Sequence, residues 1–236
     1  MLGGMDYREA DRIMTLFTLE HGKIRGIARG AKRSMRRFGG CLELFARLRV
    51  GVVVRDGLST IDRADLVSIY PGIRSDLGGI ALAGYACELV DRFIPEGLPN
   101  ARLFRLLNCL LEHLDSVAAS HGVRRFFEAN LLNILGYRLP LDSCSNCGGD
   151  LGVSGRAAWA PSAGGFLCGA CARGERPVLP QTLHFLEAAL MTGRFGGVVA
   201  ETAVLVEAGQ ILDSAIQSHL DRPLKSLAFL REILPG

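Results

Sequence analysis

The chain has 236 residues, of which 49% are hydrophobic and 22% charged. That composition suits one or two buried cores and argues against wholesale disorder. Net charge is +3, from 27 basic and 24 acidic residues, a balance that by itself selects no partner. No uncharged apolar stretch reaches the ~18–20 residues of a membrane-spanning helix. The opening Met1-Leu2-Gly3-Gly4-Met5 lacks the basic start and apolar middle of a secretory signal, so a cytoplasmic chain is expected.

The first third reads as β-structure. Ile13 to Leu19 is rich in strand formers and is followed by a turn at His21-Gly22. Lys23 to Gly30 then alternates, with Ile24, Gly26 and Ala28 on one face and Lys23, Arg25, Ile27 and Arg29 on the other. A basic loop runs to Gly40. The next expected strand carries Leu42, Leu44, Ala46, Leu48, Val50, Val52 and Val54 on one parity, and Glu43, Phe45, Arg47, Arg49 and Arg55 on the other. Arg55-Asp56-Gly57 supplies a hairpin turn, and Leu58 to Ile69 returns. Short strands with one apolar and one basic face predict a small barrel of the oligonucleotide-binding type, the OB-fold.

After Tyr70-Pro71-Gly72 the period becomes helical. Helices are predicted over Asp76–Phe93, Ala101–Ala119 and Val123–Leu135, then over Thr182–Met191, Thr202–Leu220 and Pro223–Leu234. A cysteine segment interrupts them. The fold class is therefore α+β with several domains. An OB-fold nucleic-acid-binding domain covers residues 1–72, a helical domain 73–142 and 178–236, and a zinc-binding insert 143–177.

Cys144, Cys147, Cys168 and Cys171 form two Cys-x2-Cys pairs separated by twenty residues. Two sulfurs three positions apart can take two corners of a tetrahedron, and the second pair supplies the others. Gly148 and Gly169 suit the sharp turns around a metal. Four thiolates leave no open coordination position, so one structural Zn(2+) is expected; an iron–sulfur cluster is the alternative for the same ligands. Trp159, Pro161 and Gly164-Gly165 suggest a short β-ribbon between the pairs. Arg156, Arg173 and Arg176 can offset the site's charge of about −2 or touch nucleic acid. Cys87 and Cys109 fall in apolar helical patterns, where free cysteine packs as a small hydrophobe.

Seven cations, Lys23, Arg25, Arg29, Lys32, Arg33, Arg36 and Arg37, stand within fifteen residues with no acid among them. The rest of the chain is left with about −4. Arg47, Arg49 and Arg55 share a strand face with Phe45. Cations beside an aromatic suit single-stranded nucleic acid, where phosphates meet Arg or Lys and bases stack. The five histidines show no ligand or acid–base spacing. Glu112, Asp115 and Glu128 sit on leucine-striped helices and are expected to face solvent. Nothing in this pattern predicts an enzyme.

At this point the motifs resemble a known family. Arg8-Glu9-Ala10-Asp11-Arg12-Ile13 and His21-Gly22-Lys23-Ile24 are followed in order by Ala28-Arg29-Gly30-Ala31-Lys32-Arg33 and Phe38-Gly39-Gly40. Then come Ala83-Gly84-Tyr85, Leu135-Gly136-Tyr137, Cys144-Ser145-Asn146-Cys147-Gly148, Gly164-Gly165-Phe166-Leu167-Cys168 and Arg222-Pro223-Leu224-Lys225-Ser226. Over nearly the whole chain this resembles the RecO family of bacterial recombination-repair proteins. The resemblance implies an OB-fold barrel, a helical domain with an inserted zinc module, and a non-enzymatic mediator that binds single- and double-stranded DNA and anneals complementary strands. It implies partnership with RecR, and loading of RecA onto DNA coated by single-stranded-DNA-binding protein. It places the seven cations in the barrel's DNA-binding region and the four cysteines on zinc. Against that family the opening before Tyr7-Arg8-Glu9 is short, so the first barrel strand is expected to be truncated or the start to lie further upstream. The acidic, apolar-ended tail of single-stranded-DNA-binding protein calls for a basic-rimmed apolar groove on the helical domain. Arg222 and Lys225 open the last helix, where cations oppose the helix dipole, a mild cost that is either offset by an anion contact or simply tolerated. The barrel and cysteines alone would equally permit a zinc-containing RNA-binding protein.

Overall fold

The computed structural model describes residues 1–39, 41–151 and 156–234. Gly40, the expected end of the basic loop, and 152–155 within the zinc insert lie outside the described residues. The chain forms two compact units. One is Met1–Ala119 with the C-terminal segment from Leu224, and the other is Ser120–Pro223. This partition differs from a boundary at 72/73, since two long helices group with the N-terminal sheet.

In the first unit, β1 (Gly3–Tyr7), β2 (Asp11–Thr18), β3 (Gly22–Ala28), β4 (Arg47–Val53) and β5 (Ser59–Ser68) form one sheet in the order β1-β2-β3-β5-β4. β3 and β5 run parallel, at Gly26↔Ser59 and Ile27↔Thr60, and the other pairs are antiparallel. Strand alternation turns Met14, Leu16 and Ile24 to one side, and a register irregularity between Gly51 and Val52 in the β4–β5 pair lets Ile61 and Ala64 join them, where they pack with Phe38, Cys41 and Leu42. Phe38 comes from α1 (Met35–Phe38), which bridges β3 and β4. The opening strand is present: β1 pairs with β2 from Gly3↔Thr15 to Tyr7↔Asp11. Just before it, the Met1 amino group donates to the Ala46 carbonyl at 2.8 Å, and the Phe45 N–H donates to the Met1 carbonyl at 3.2 Å.

The strand expected from Leu42 begins only at Arg47. Short-range bonds close turns before it, from Cys41 N–H to Phe38 O, Glu43 N–H to Cys41 O and Ala46 N–H to Glu43 O. Leu42 and Ala46 are buried while Leu44 is exposed, so the apolar parity does not define a face. Phe45 has a left-handed φ of 66° and is buried. It is therefore not the surface aromatic that the alternation implied. From Arg47 onward exposure alternates along β4 as expected.

The helices of this unit are α2 (Pro71–Ser75), α3 (Leu77–Phe93), α4 (Ala101–Ser116) and, from the C-terminal segment, one further helix over Ser226–Ile233. Asp76 and Asn100 cap α3 and α4 by accepting from Gly79 N–H at 2.7 Å and Leu103 N–H at 2.9 Å. α2 has no cap of its own, and Asp115 of α4 accepts the Gly72 N–H at 2.6 Å.

The second unit contains α5 (His121–Ile134), α6 (Pro180–Met191) and α7 (Thr202–Gln217), so the Ser226–Ile233 helix is α8. Its small sheet has the order β7-β6-β8, with β6 Ala157–Ala160, β7 Gly165–Cys168 and β8 Pro177–Val178. This is the expected ribbon, and Trp159 packs on Phe166 across it with ring centroids 5.2 Å apart. Glu207 of α7 caps α6 by accepting Leu179 N–H at 2.9 Å and the Thr182 hydroxyl at 2.6 Å. Among the described residues no helix is long and apolar enough to cross a membrane.

Candidate metal centre and nucleic-acid interface

The two cysteine pairs converge in the second unit. Cys144–Gly149 forms one knuckle, in which Gly148 N–H reaches Cys144 O at 2.8 Å and Gly148 takes a φ of 71°, a left-handed conformation that glycine adopts freely. The second knuckle leaves the end of β7, with Cys171 and Ala172 N–H both bonding Cys168 O at 3.0 Å. Ser145 N–H bonds Phe166 O at 2.8 Å and ties the first knuckle to β7. The four sulfurs lie within 4.8 Å of one another, and Cys147 Sγ is 3.8 Å from Cys168 Sγ. A tetrahedron with metal–sulfur bonds of about 2.3 Å has edges of about 3.8 Å, so a single ion fits.

The surroundings act differently on the two sulfurs of the first knuckle. Amide N–H groups of Cys168 and Cys147 lower the Cys144 thiol to about 6, and Cys168 N–H lies 3.3 Å from Cys144 Sγ. Gly149 N–H acts likewise on Cys147, but hydrogen bonding with the Cys144, Cys171 and Cys168 sulfurs outweighs it and raises Cys147 to about 11. A divalent cation would offset the negative charge of clustered thiolates, which is what a metal site requires. Asn146 Nδ2 donates to Cys171 Sγ at 3.4 Å and orients a ligand from outside the cluster. Of the arginines near the sulfurs, Arg176 reaches Gln210 at 3.2 Å, and Arg173 is exposed.

The seven cations of the N-terminal segment part company. Lys23 does not share a free face with Arg25 and Arg29. Its ammonium is mostly buried, bonded to the Asp91 carbonyl and paired with the Asp91 carboxylate at 3.2 Å. Ile27, the residue between Arg25 and Arg29 on that parity, is buried as well. Lys32 pairs with Asp6 at 2.8 Å and holds that carboxyl below its usual range. Arg33 meets Glu9 at 3.3 Å, both highly exposed, a contact weak enough to exchange for a phosphate. Arg37 bonds Ser34 Oγ and the Arg29 carbonyl, and stacks over Phe38 at 5.1 Å. Arg25, Arg29 and Arg36 present exposed side chains with no hydrogen bond or ion pair among the described residues. On β4, Arg47 is paired with Glu112 at 3.2 Å while Arg49 stays exposed.

Of the acids expected to face solvent, Glu112 is half-exposed, paired with Arg47 and bonded by Asn108, and Asp115 caps α2. Glu128 is fully buried, a correction: Arg124 Nε and Arg125 Nη1 donate to its two oxygens at 2.8 and 2.7 Å. Both arginines also reach Asp213, so two cations and two anions offset each other inside the second unit. Gly209 of α7 leaves the room for this cluster, since a Cβ there would lie 2.3 Å from the Arg125 guanidinium. In the first unit a cavity of about 610 Å³ is lined by Leu16, Phe17, Phe45, Phe104 and Leu111, with Arg47 and Arg49. It is an apolar groove with cations, and it lies against the sheet and α4.

The comparisons with known proteins give first a class, that of DNA repair proteins. Residues 1–70 match the family model described as Recombination protein O N terminal, and residues 74–228 the model described as Recombination protein O C terminal. The chain belongs to the RecO family. The DNA repair protein RecO of Geobacter sulfurreducens is 57% identical over 235 residues, covering 100% of this chain and 96% of that protein. Its counterpart in Geobacter metallireducens is 55% identical with the same coverage, and that of Pelobacter propionicus is 48% identical over 99% of this chain and 94% of its own.

Proposed function

We propose that this protein is a non-enzymatic recombination mediator, which binds single- and double-stranded DNA, anneals complementary strands and, with RecR, helps load RecA onto strands coated by single-stranded-DNA-binding protein. Full-length family membership supports the repair role, and the observation that carries the binding surface is the group of free cations at Arg25, Arg29 and Arg36. In this reading residues 1–72 are an OB-type barrel, with the strand order β1-β2-β3-β5-β4 and the Met1 contacts to Phe45 and Ala46 as support. Arg33 and Arg37 extend the surface. Lys32 joins by releasing Asp6, and Lys23 contributes least because Asp91 holds it.

Residues 73–142 and 178–236 serve as the helical part, and residues 143–177 as a module stapled by one zinc ion on Cys144, Cys147, Cys168 and Cys171. The ion supplies order there and no open position for chemistry. The protein works in the cytoplasm, on the nucleoid during repair. Annealing of complementary oligonucleotides, with and without single-stranded-DNA-binding protein, tests the reading. Acceleration by the protein supports it. No acceleration, or binding that strongly prefers RNA over single-stranded DNA in competition, contradicts it.

A further inference from the structure

The four sulfurs of the metal centre are not equally protected. Cys144 and Cys168 are buried, Cys171 is half-buried, and Cys147 is exposed. Cys147 Sγ is also 3.8 Å from Cys168 Sγ, a residue of the other knuckle. An oxidant therefore meets Cys147 first; all three other sulfurs lie within 4.8 Å of it, and Cys168 is the buried one that belongs to the other knuckle. We propose that the cluster is a peroxide-responsive switch, in which Cys147 and Cys168 form a disulfide and release the metal.

The step balances with hydrogen peroxide as oxidant. The Cys147 sulfur, a thiolate while it ligates the metal, attacks one peroxide oxygen, the O–O bond breaks, and a sulfenic acid and hydroxide result. The Cys168 thiolate then attacks the Cys147 sulfur, the S–S bond forms and a second hydroxide leaves. Two protons convert the hydroxides to water, and two electrons have passed from the sulfur pair to peroxide. The sulfurs must close from 3.8 Å to about 2 Å, a shift within reach of side-chain rotation. Losing two of four donors frees the ion. The new bond still joins the first knuckle to the end of β7, so the module keeps a cross-link in place of the metal. A thiol–disulfide reductant and zinc then restore the first state.

This inference rests on the zinc reading above, and one experiment separates the two. Full-length protein is assayed for zinc, then treated with hydrogen peroxide while a chromogenic chelator reports released zinc and peptide mass mapping reports disulfides. Cys109, exposed on α4 and outside the cluster, is the internal reference thiol. The expected result is one zinc released per Cys147–Cys168 disulfide, before Cys109 is oxidised, with zinc regained after dithiothreitol. A Cys168→His variant keeps a Cys3His donor set; it should hold zinc, lack the disulfide and release zinc at least tenfold more slowly. A chain that carries no zinc before treatment contradicts the metal reading. Zinc kept after Cys109 is oxidised, a disulfide confined to Cys144 and Cys147, or undiminished release from Cys168→His overturns the switch.

Discussion

Ser226 and Glu88 stand 138 positions apart, yet the Ser226 N–H and hydroxyl both donate to Glu88 Oε2, at 2.8 and 2.6 Å. Lys225 N–H adds a third bond, to Oε1 at 3.1 Å. The anion that a cation-rich helix start suggested is thus supplied by α3 of the same unit. It satisfies N–H groups that α8 cannot bond itself, and its charge favours the helix dipole.

Replacing Glu88 by Gln should weaken this cap and lower stability by about 1–2 kcal/mol, read by denaturant unfolding. Burial raises the Glu88 carboxyl, but the bonds from Ser226 and Lys225, with Arg92, outweigh it and hold the group below its ordinary 4.5. Its folded value is lowered, so its contribution is complete above that pH and is lost as pH falls through the depressed value. The Gln variant should lose that part of the wild type's acid sensitivity below about pH 4.5. Identical acid unfolding curves would count against the cap.

The cluster in the second unit gives a larger effect. Glu128→Ala takes from the buried Arg124 and Arg125 the carboxylate that both bond, at a cost of about 3–5 kcal/mol. Gly209→Ala should also destabilise, because the added methyl meets the Arg125 guanidinium. Thermal unfolding of both variants checks this, and a stability loss below about 0.5 kcal/mol for Glu128→Ala would show the cluster to be incidental.

Removing the metal tests the staple. Zinc-loaded protein treated with a strong chelator should lose ordered structure around Trp159 and Phe166, read as a change in fluorescence of the single tryptophan. Cys144→Ser should do the same without chelator. Unchanged emission and unfolding temperature after complete zinc removal would mean that the ribbon holds itself.

The legible parts of the molecule are those whose signal is local. Apolar periodicity over Asp76–Phe93 and Ala101–Ala119 announces α3 and α4, and the twinned cysteine spacing announces a four-sulfur cluster. The errors have one physical source, partners distant in sequence. Lys23 looked like part of a free cationic face because Asp91, which holds it, lies 68 positions on. Glu128 reads as a solvent-facing acid on a leucine-striped helix, because Asp213, which helps Arg124 and Arg125 enclose it, lies far along the chain on α7. Leu42 to Ala46 carries strand-like alternation, but its N–H groups are used in turns, which parity does not report.

Binding to a single-stranded oligonucleotide across a salt series tests the central claim most directly. With about five phosphates contacted, log affinity should fall with log salt at a slope of about −3 to −4. Changing Arg25, Arg29 and Arg36 together to Ala should flatten that slope by about 2 and leave the unfolding temperature unchanged. Binding that ignores salt, or a triple variant that binds with the wild-type slope and affinity, would contradict the assignment of this face to DNA.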